Sequence, residues 1–180
     1  MESRLSDDEP TLWALAARDG DPLAQAAFVR STQAEVWRFC AALIDTSSAD
    51  DLTQETYLRA FRALPQFEGR SSARTWLLGI ARRACADHLR SLARSRRLRD
   101  RLTRTFETAV TADPAGQVSA AALLRSLSPE RREPFVLTQL LGLTYEQAAI
   151  VLEVPIGTIR SRVARARADL ASGVVTAMAA

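Results

Sequence analysis

At 180 residues, with 47% apolar side chains and only seven glycines and seven prolines, the chain can build one medium or two small helical domains. Its net charge of +3 hides an alternation: −7 over residues 1–57, +10 over 58–104, −3 over 105–153 and +3 over 154–180, so successive surfaces suit different partners. No apolar run reaches the roughly 20 residues that cross a bilayer, the acidic start is no secretory leader, and Cys40 and Cys85 stand apart as buried free thiols of a cytoplasmic, reducing setting.

Residues 11–92 carry helical spacing throughout. Phe28, Val36, Trp37, Phe39, Cys40, Leu43 and Ile44 recur through one long segment. Residues 47–51 offer N-cap material for a following helix, whose expected buried stripe is Leu52, Leu58, Phe61 and Leu64 and which Pro65 closes. A polar loop over 66–72, containing Gly69, precedes a helix that opens near Ser72. That helix is amphipathic: Leu77, Ile80, Ala81, Ala84, Cys85, His88 and Leu92 share one side, and Arg83, Arg90, Arg94 and Arg97 the other. His88, the only histidine, has no accompanying ligand or base and is expected to be structural.

The apolar rhythm lapses over 93–119, which reads as a linker, helical at its first end. A second helical unit follows, with pieces at 121–127, a helix opening at Ser128-Pro129, a short helix, and a last helix ending near Ser172 before a frayed tail. All 24 basic residues are arginine, each able to make planar, bidentate contacts to phosphate or guanine.

Residues 144–167 carry the strongest local signal. Thr144 and Gln147 form a capping box, Ala149 is small where two helices cross, and Pro155 and Gly157 mark a corner. In the last helix Ile156, Ile159, Val163, Ala166 and Leu170 face inward. Ser161, Ala164, Arg165 and Ala168 face outward, flanked by Arg160 and Arg167. Small side chains and arginines on one face let a helix lie deep in the major groove, so the stretch predicts a DNA-reading helix-turn-helix. Glu153 departs from the glycine common at such corners. Upstream, Asp51, Gln54 and Glu55 share one helical side, and Arg70 to Leu77 mixes cations with Trp76, as single-strand binders do; Trp76 fits a core position equally well.

Four constellations carry a resemblance: Asp50-Asp51-Leu52-Thr53-Gln54-Glu55-Thr56-Tyr57, Arg74-Thr75-Trp76-Leu77-Leu78-Gly79-Ile80-Ala81-Arg82-Arg83, Leu127-Ser128-Pro129-Glu130-Arg131-Arg132-Glu133 and Gly157-Thr158-Ile159-Arg160-Ser161-Arg162. In order and spacing they resemble bacterial extracytoplasmic-function (ECF) sigma factors, most closely the actinobacterial sigma-C type. The resemblance implies an all-α chain: a sigma-2-like domain over 1–93, a flexible linker over 94–117 and a sigma-4-like helix-turn-helix domain over 118–180. It implies a promoter-specificity subunit that binds core RNA polymerase through the β′ clamp helices and the β flap. Asp51, Gln54 and Glu55 would grip β′. Phe67, Arg70, Ser71, Ser72, Trp76, Arg82 and Arg83 would bind the opened −10 element, and Thr158, Arg160, Ser161, Ala164 and Arg165 would read the duplex −35 element. An anti-sigma factor is a further partner the family suggests. No catalytic residue, metal or cofactor, and no membrane insertion, is expected. The competing reading is a stand-alone helix-turn-helix regulator. A nuclease lacks the required cluster of metal-ligating side chains.

Overall fold

The computed structural model describes residues 8–102 and 120–178. Within these residues eight α-helices follow one another: α1 (Glu9–Arg18), α2 (Pro22–Leu43), α3 (Thr46–Ala63), α4 (Ala73–Leu102), α5 (Ala120–Ser126), α6 (Pro129–Phe135), α7 (Tyr145–Leu152) and α8 (Ile156–Met178). Among the described residues there is no strand, and the chain is all-α as the sequence predicts.

Start signals in the sequence account for most helix boundaries. Asp8 caps α1 and Asp21 caps α2, each with a proline in the first turn. The third helix begins earlier than its polar run suggests. Its cap is Asp45, whose carboxylate accepts from the Ser48 N–H at 2.7 Å and the Ser47 hydroxyl at 2.7 Å. Residues 47–51 therefore lie inside the helix. Its buried side is Ala49, Leu52, Thr56, Tyr57 and Ala60. Leu58, expected in that stripe, is 53% exposed.

A 3₁₀ turn (Leu64–Gln66) containing Pro65 ends this run, and residues 67–72 form the loop before α4. The inward side of α4 is Leu77, Leu78, Ile80, Ala81, Ala84 and Cys85; Leu92 is exposed and His88 half-buried, so the apolar side stops about two turns earlier than expected. Helix α4 continues to Leu102, into the segment read as linker, and the remainder of that segment, 103–117, lies outside the described residues. At its other end α8 is helical through Met178, past the Ser172 at which fraying was expected. Cys40 and Cys85 are buried free thiols with their sulfurs 3.8 Å apart.

In the second unit Ser128 holds the cap position of α6 without a side-chain bond, and Pro129 occupies its first turn. Pro134 removes a helical donor, and the backbone next widens into a π turn (Val136–Leu140) in which the Leu141 N–H reaches back to the Val136 carbonyl. The Thr144–Gln147 capping box is fully formed, with bonds of 3.2 and 2.9 Å. Ala148 is fully buried, and Ala149 is partly buried and packs against the same core. One apolar core runs from α1–α4 into α6–α8, so the two units pack together, α4 against α7.

Candidate nucleic-acid and polymerase interfaces

Helix α3 lies between two grooves. On the α4 side a cleft of about 530 Å³ is lined by Asp51, Glu55, Arg59, Asp87, His88 and Arg94. Arg59 bridges Glu55 (2.7 Å) and Asp87 (2.6 Å), and Arg90, followed by Arg59, holds the Asp87 carboxyl below the usual carboxylate range. On the α2 side a mostly apolar groove of about 410 Å³ is formed by Val29, Gln33, Thr53, Gln54, Tyr57, Leu58 and Phe61. The fold thus brings Asp51 and Glu55 together and turns Gln54 to the other flank. Sequence periodicity missed the apolar half of this surface. Its signal was Leu58 itself, which follows Gln54 by four residues and so shares its side of the helix.

The loop before α4 encloses a recess of about 220 Å³ lined by Gln66, Phe67, Glu68, Gly69, Arg70, Ser71 and Trp76. The Phe67 and Trp76 rings lie 4.8 Å apart, with Phe67 buried and Trp76 half-buried. Trp76 packs on the core and also lines the recess. Arg70 is exposed and pairs with Glu68 at 2.8 Å. Ser71 is half-buried, whereas Ser72 is buried and caps α4 by accepting from the Thr75 N–H. Arg83 is exposed and bonds the Gly79 carbonyl.

Arg82 is placed differently. Its Nε meets Glu133 of α6 at 2.8 Å, so the second unit already occupies it. Two further arginines cross the same boundary. Arg74 binds both Glu35 and the Leu141 carbonyl, and Arg132 donates to the Leu43 carbonyl at 3.0 Å. Burial pushes the Arg132 guanidinium below its ordinary pKa.

The third surface is α8. Ile159, Val163 and Ala166 are fully buried against the second unit, and this fixes the helix rotation. Arg160, Ser161, Ala164 and Arg165 are exposed on the opposite side, and Thr158 is half-buried at its start. Arg162 and Arg167 are held as flanks, by Glu130 (3.9 Å) and by the Gln139 side chain (2.6 Å). The corner between α7 and α8 turns on Glu153, which takes the left-handed conformation with φ 56°.

No group of three or more His, Cys, Asp or Glu able to hold a metal is present among the described residues, and no helix there is long and apolar enough to cross a membrane. Two helical units, the second built on a helix-turn-helix, define a DNA-directed transcription factor. The chain matches the sigma-70 region 2 family over residues 23–95 and the sigma-70 region 4 family over 117–170. It is 49% identical to the ECF RNA polymerase sigma factor SigC of Mycobacterium tuberculosis and to a probable RNA polymerase sigma-C factor of Mycobacterium bovis, covering 93% of this chain and 92% of each relative. Among solved structures it is similar to CnrH in complex with the cytosolic domain of CnrY (TM-score 0.73, 25% identity, 94% of this chain and 99% of that one). It is also similar to RpoE in complex with the anti-sigma factor NepR from Bartonella quintana (TM-score 0.64, 31% identity, 79% and 91%). The chain belongs to the ECF sigma factors of bacterial RNA polymerase, and is an alternative sigma factor that directs transcription initiation.

Proposed function

We propose that the three surfaces divide the work of promoter recognition. Asp51, Gln54 and Glu55, with the apolar groove beside Gln54, dock on the β′ clamp helices of core polymerase, in the cytoplasm where that enzyme works. The loop recess takes an extruded base of the −10 element, while Trp76, Arg82 and Arg83 hold the separated strand by stacking and phosphate contact. The outward side of α8 reads the −35 duplex through Thr158, Arg160, Ser161, Ala164 and Arg165. The β flap would receive the second unit, and an anti-sigma factor is a further partner, as NepR is for RpoE of Bartonella quintana.

The observation that carries this reading is the rotation of α8. Ile159, Val163 and Ala166 at the centre of its apolar stripe are buried, α7 is capped at both ends, and the side left outward carries short side chains and arginines. Arg82 supplies a second element of mechanism. Its Nε is engaged by Glu133 while the two units are docked, so release of that ion pair frees the whole guanidinium for the strand. That single, partly exposed ion pair is worth on the order of 1 kcal/mol or less, a cost that contacts made on binding polymerase can offset. Selecting promoters from a random library with reconstituted holoenzyme tests the division of labour. Enrichment of paired −35 and −10 elements is expected; enrichment of a single duplex palindrome would point to the stand-alone regulator instead.

A further inference from the structure

Loop 67–72 is not held by its own residues alone. One stripe of α1 touches it at its entry, bend and exit. At the entry, Arg18 Nη1 donates to the Phe67 carbonyl at 3.1 Å, and Arg18 Nε is fixed by Asp19 at 2.9 Å. At the bend, Gly69 takes φ +70° with Leu15 beneath it; a Cβ at that position would meet the Leu15 methyls at 3.8 and 3.9 Å. At the exit, the Ala73 N–H donates to Thr11 Oγ1 at 2.8 Å. Thr11 is completely buried, and its oxygen satisfies the first backbone donor of α4 from 62 residues away. Thr11, Leu15 and Arg18 are four and three residues apart, hence on one side of α1. Helix α1 lies outside the region 2 match, which begins at residue 23.

We infer that α1 is a splint for the base-capture loop, and that Thr11 and Arg18 are positioning residues for −10 recognition. The inference rests on the reading of this loop given above. An irregular loop has no ladder to fix its shape, and a recess that discriminates bases must hold its walls to a fraction of an ångström. Two hydrogen bonds and one packed leucine at its entry, bend and exit supply that constraint. Thr11 makes no contact with the recess and acts only through the α4 N-terminus.

The test uses the full chain reconstituted with core polymerase. The probe is a single-stranded oligonucleotide carrying the −10 sequence selected by that holoenzyme, with each base replaced in turn. Thr11→Val and Arg18→Ala should lower the ratio of binding between selected and substituted bases about tenfold. Core assembly and binding to a duplex −35 probe should stay within about twofold of wild type. Thr11→Ser, which restores the acceptor oxygen, should recover most of the ratio. A ratio unchanged in both variants, with only a lowered melting temperature, would show α1 to be ordinary packing and overturn the inference. Arg70→Ala together with Trp76→Ala is the control for the underlying reading. If that pair alters base discrimination while the α1 variants do not, the splint is wrong and the loop assignment stands. If that pair leaves discrimination unchanged, the loop is not the reader and both proposals fall.

Discussion

Arg82 on α4 and Glu133 on α6 form an ion pair of 2.8 Å that joins a helix proposed to hold the opened strand to the unit proposed to read the duplex. Glu133→Ala should loosen this docking without touching either DNA surface. With an ion pair worth up to about 1 kcal/mol, the ratio of closed to open forms should fall by up to about fivefold. Small-angle scattering of the free chain would register the change as a larger radius of gyration. The bonds from Arg74 to the Leu141 carbonyl and from Arg132 to the Leu43 carbonyl remain, so full separation is not expected.

Asp51→Arg combined with Glu55→Arg should abolish assembly with core polymerase. Asp51 is exposed and Glu55 partly so, and the change reverses the charge of one side of α3. The helical circular dichroism should persist. Leu58→Asp should weaken assembly by a separate route, because Leu58 is 53% exposed and lines the apolar groove. Native gel shifts of core polymerase report both.

Much of this surface was legible in the sequence, though not all of it. Asp51, Gln54 and Glu55 stand out as polar residues at helical spacing, but the sequence put all three on one side and the fold turns Gln54 to the other flank. Leu58 does not stand out, because an apolar residue near the inward stripe reads as core until the helix rotation is known. The same limit left the fully buried Ala148 unremarked beside Ala149. It also hid the Asp45 cap behind the serines that follow. The contribution of Thr11 and Arg18 was illegible for another reason: their partners lie 62 and 49 residues away, and no local pattern encodes such pairs. The start of α6, the capping box and the outward side of α8 were readable because caps, prolines and a 3.6-residue period are local, whereas the α1–α2 break and the far ends of α4 and α8 were not.

Arg165→Ala should cost about 1–3 kcal/mol at one −35 base pair and little elsewhere. Arg165 is exposed on the outward side of α8, with no ion pair or hydrogen bond found for it among the described residues. Binding to duplexes bearing each single base substitution distinguishes a base contact from a phosphate contact, which would weaken every duplex equally.

Glu153→Gly should stabilise the protein by about 1 kcal/mol. A non-glycine residue at φ 56° bears the left-handed penalty, which the greater freedom of glycine in the unfolded chain offsets only in part. Thermal unfolding would show a higher midpoint with unchanged DNA binding.

Burial raises the Tyr57 phenol to about 12, against the opposing pull of its bond with Thr32. Tyr57 keeps its proton in the fold while the unfolded chain releases it near pH 10. Its contribution to stability is therefore full below pH 10 and is lost as pH rises from about 10 to 12. Urea titrations across that range should show a decline in wild type that Tyr57→Phe reduces.

The most direct measurement is run-off transcription by purified core polymerase, with and without this chain, on a promoter selected with the reconstituted holoenzyme. A defined transcript is expected only with the chain present, reduced by separate substitutions in the −35 and −10 elements and lost with the Asp51, Glu55 double variant. Tight duplex binding by the chain alone, with no new transcript on adding core, would contradict the account.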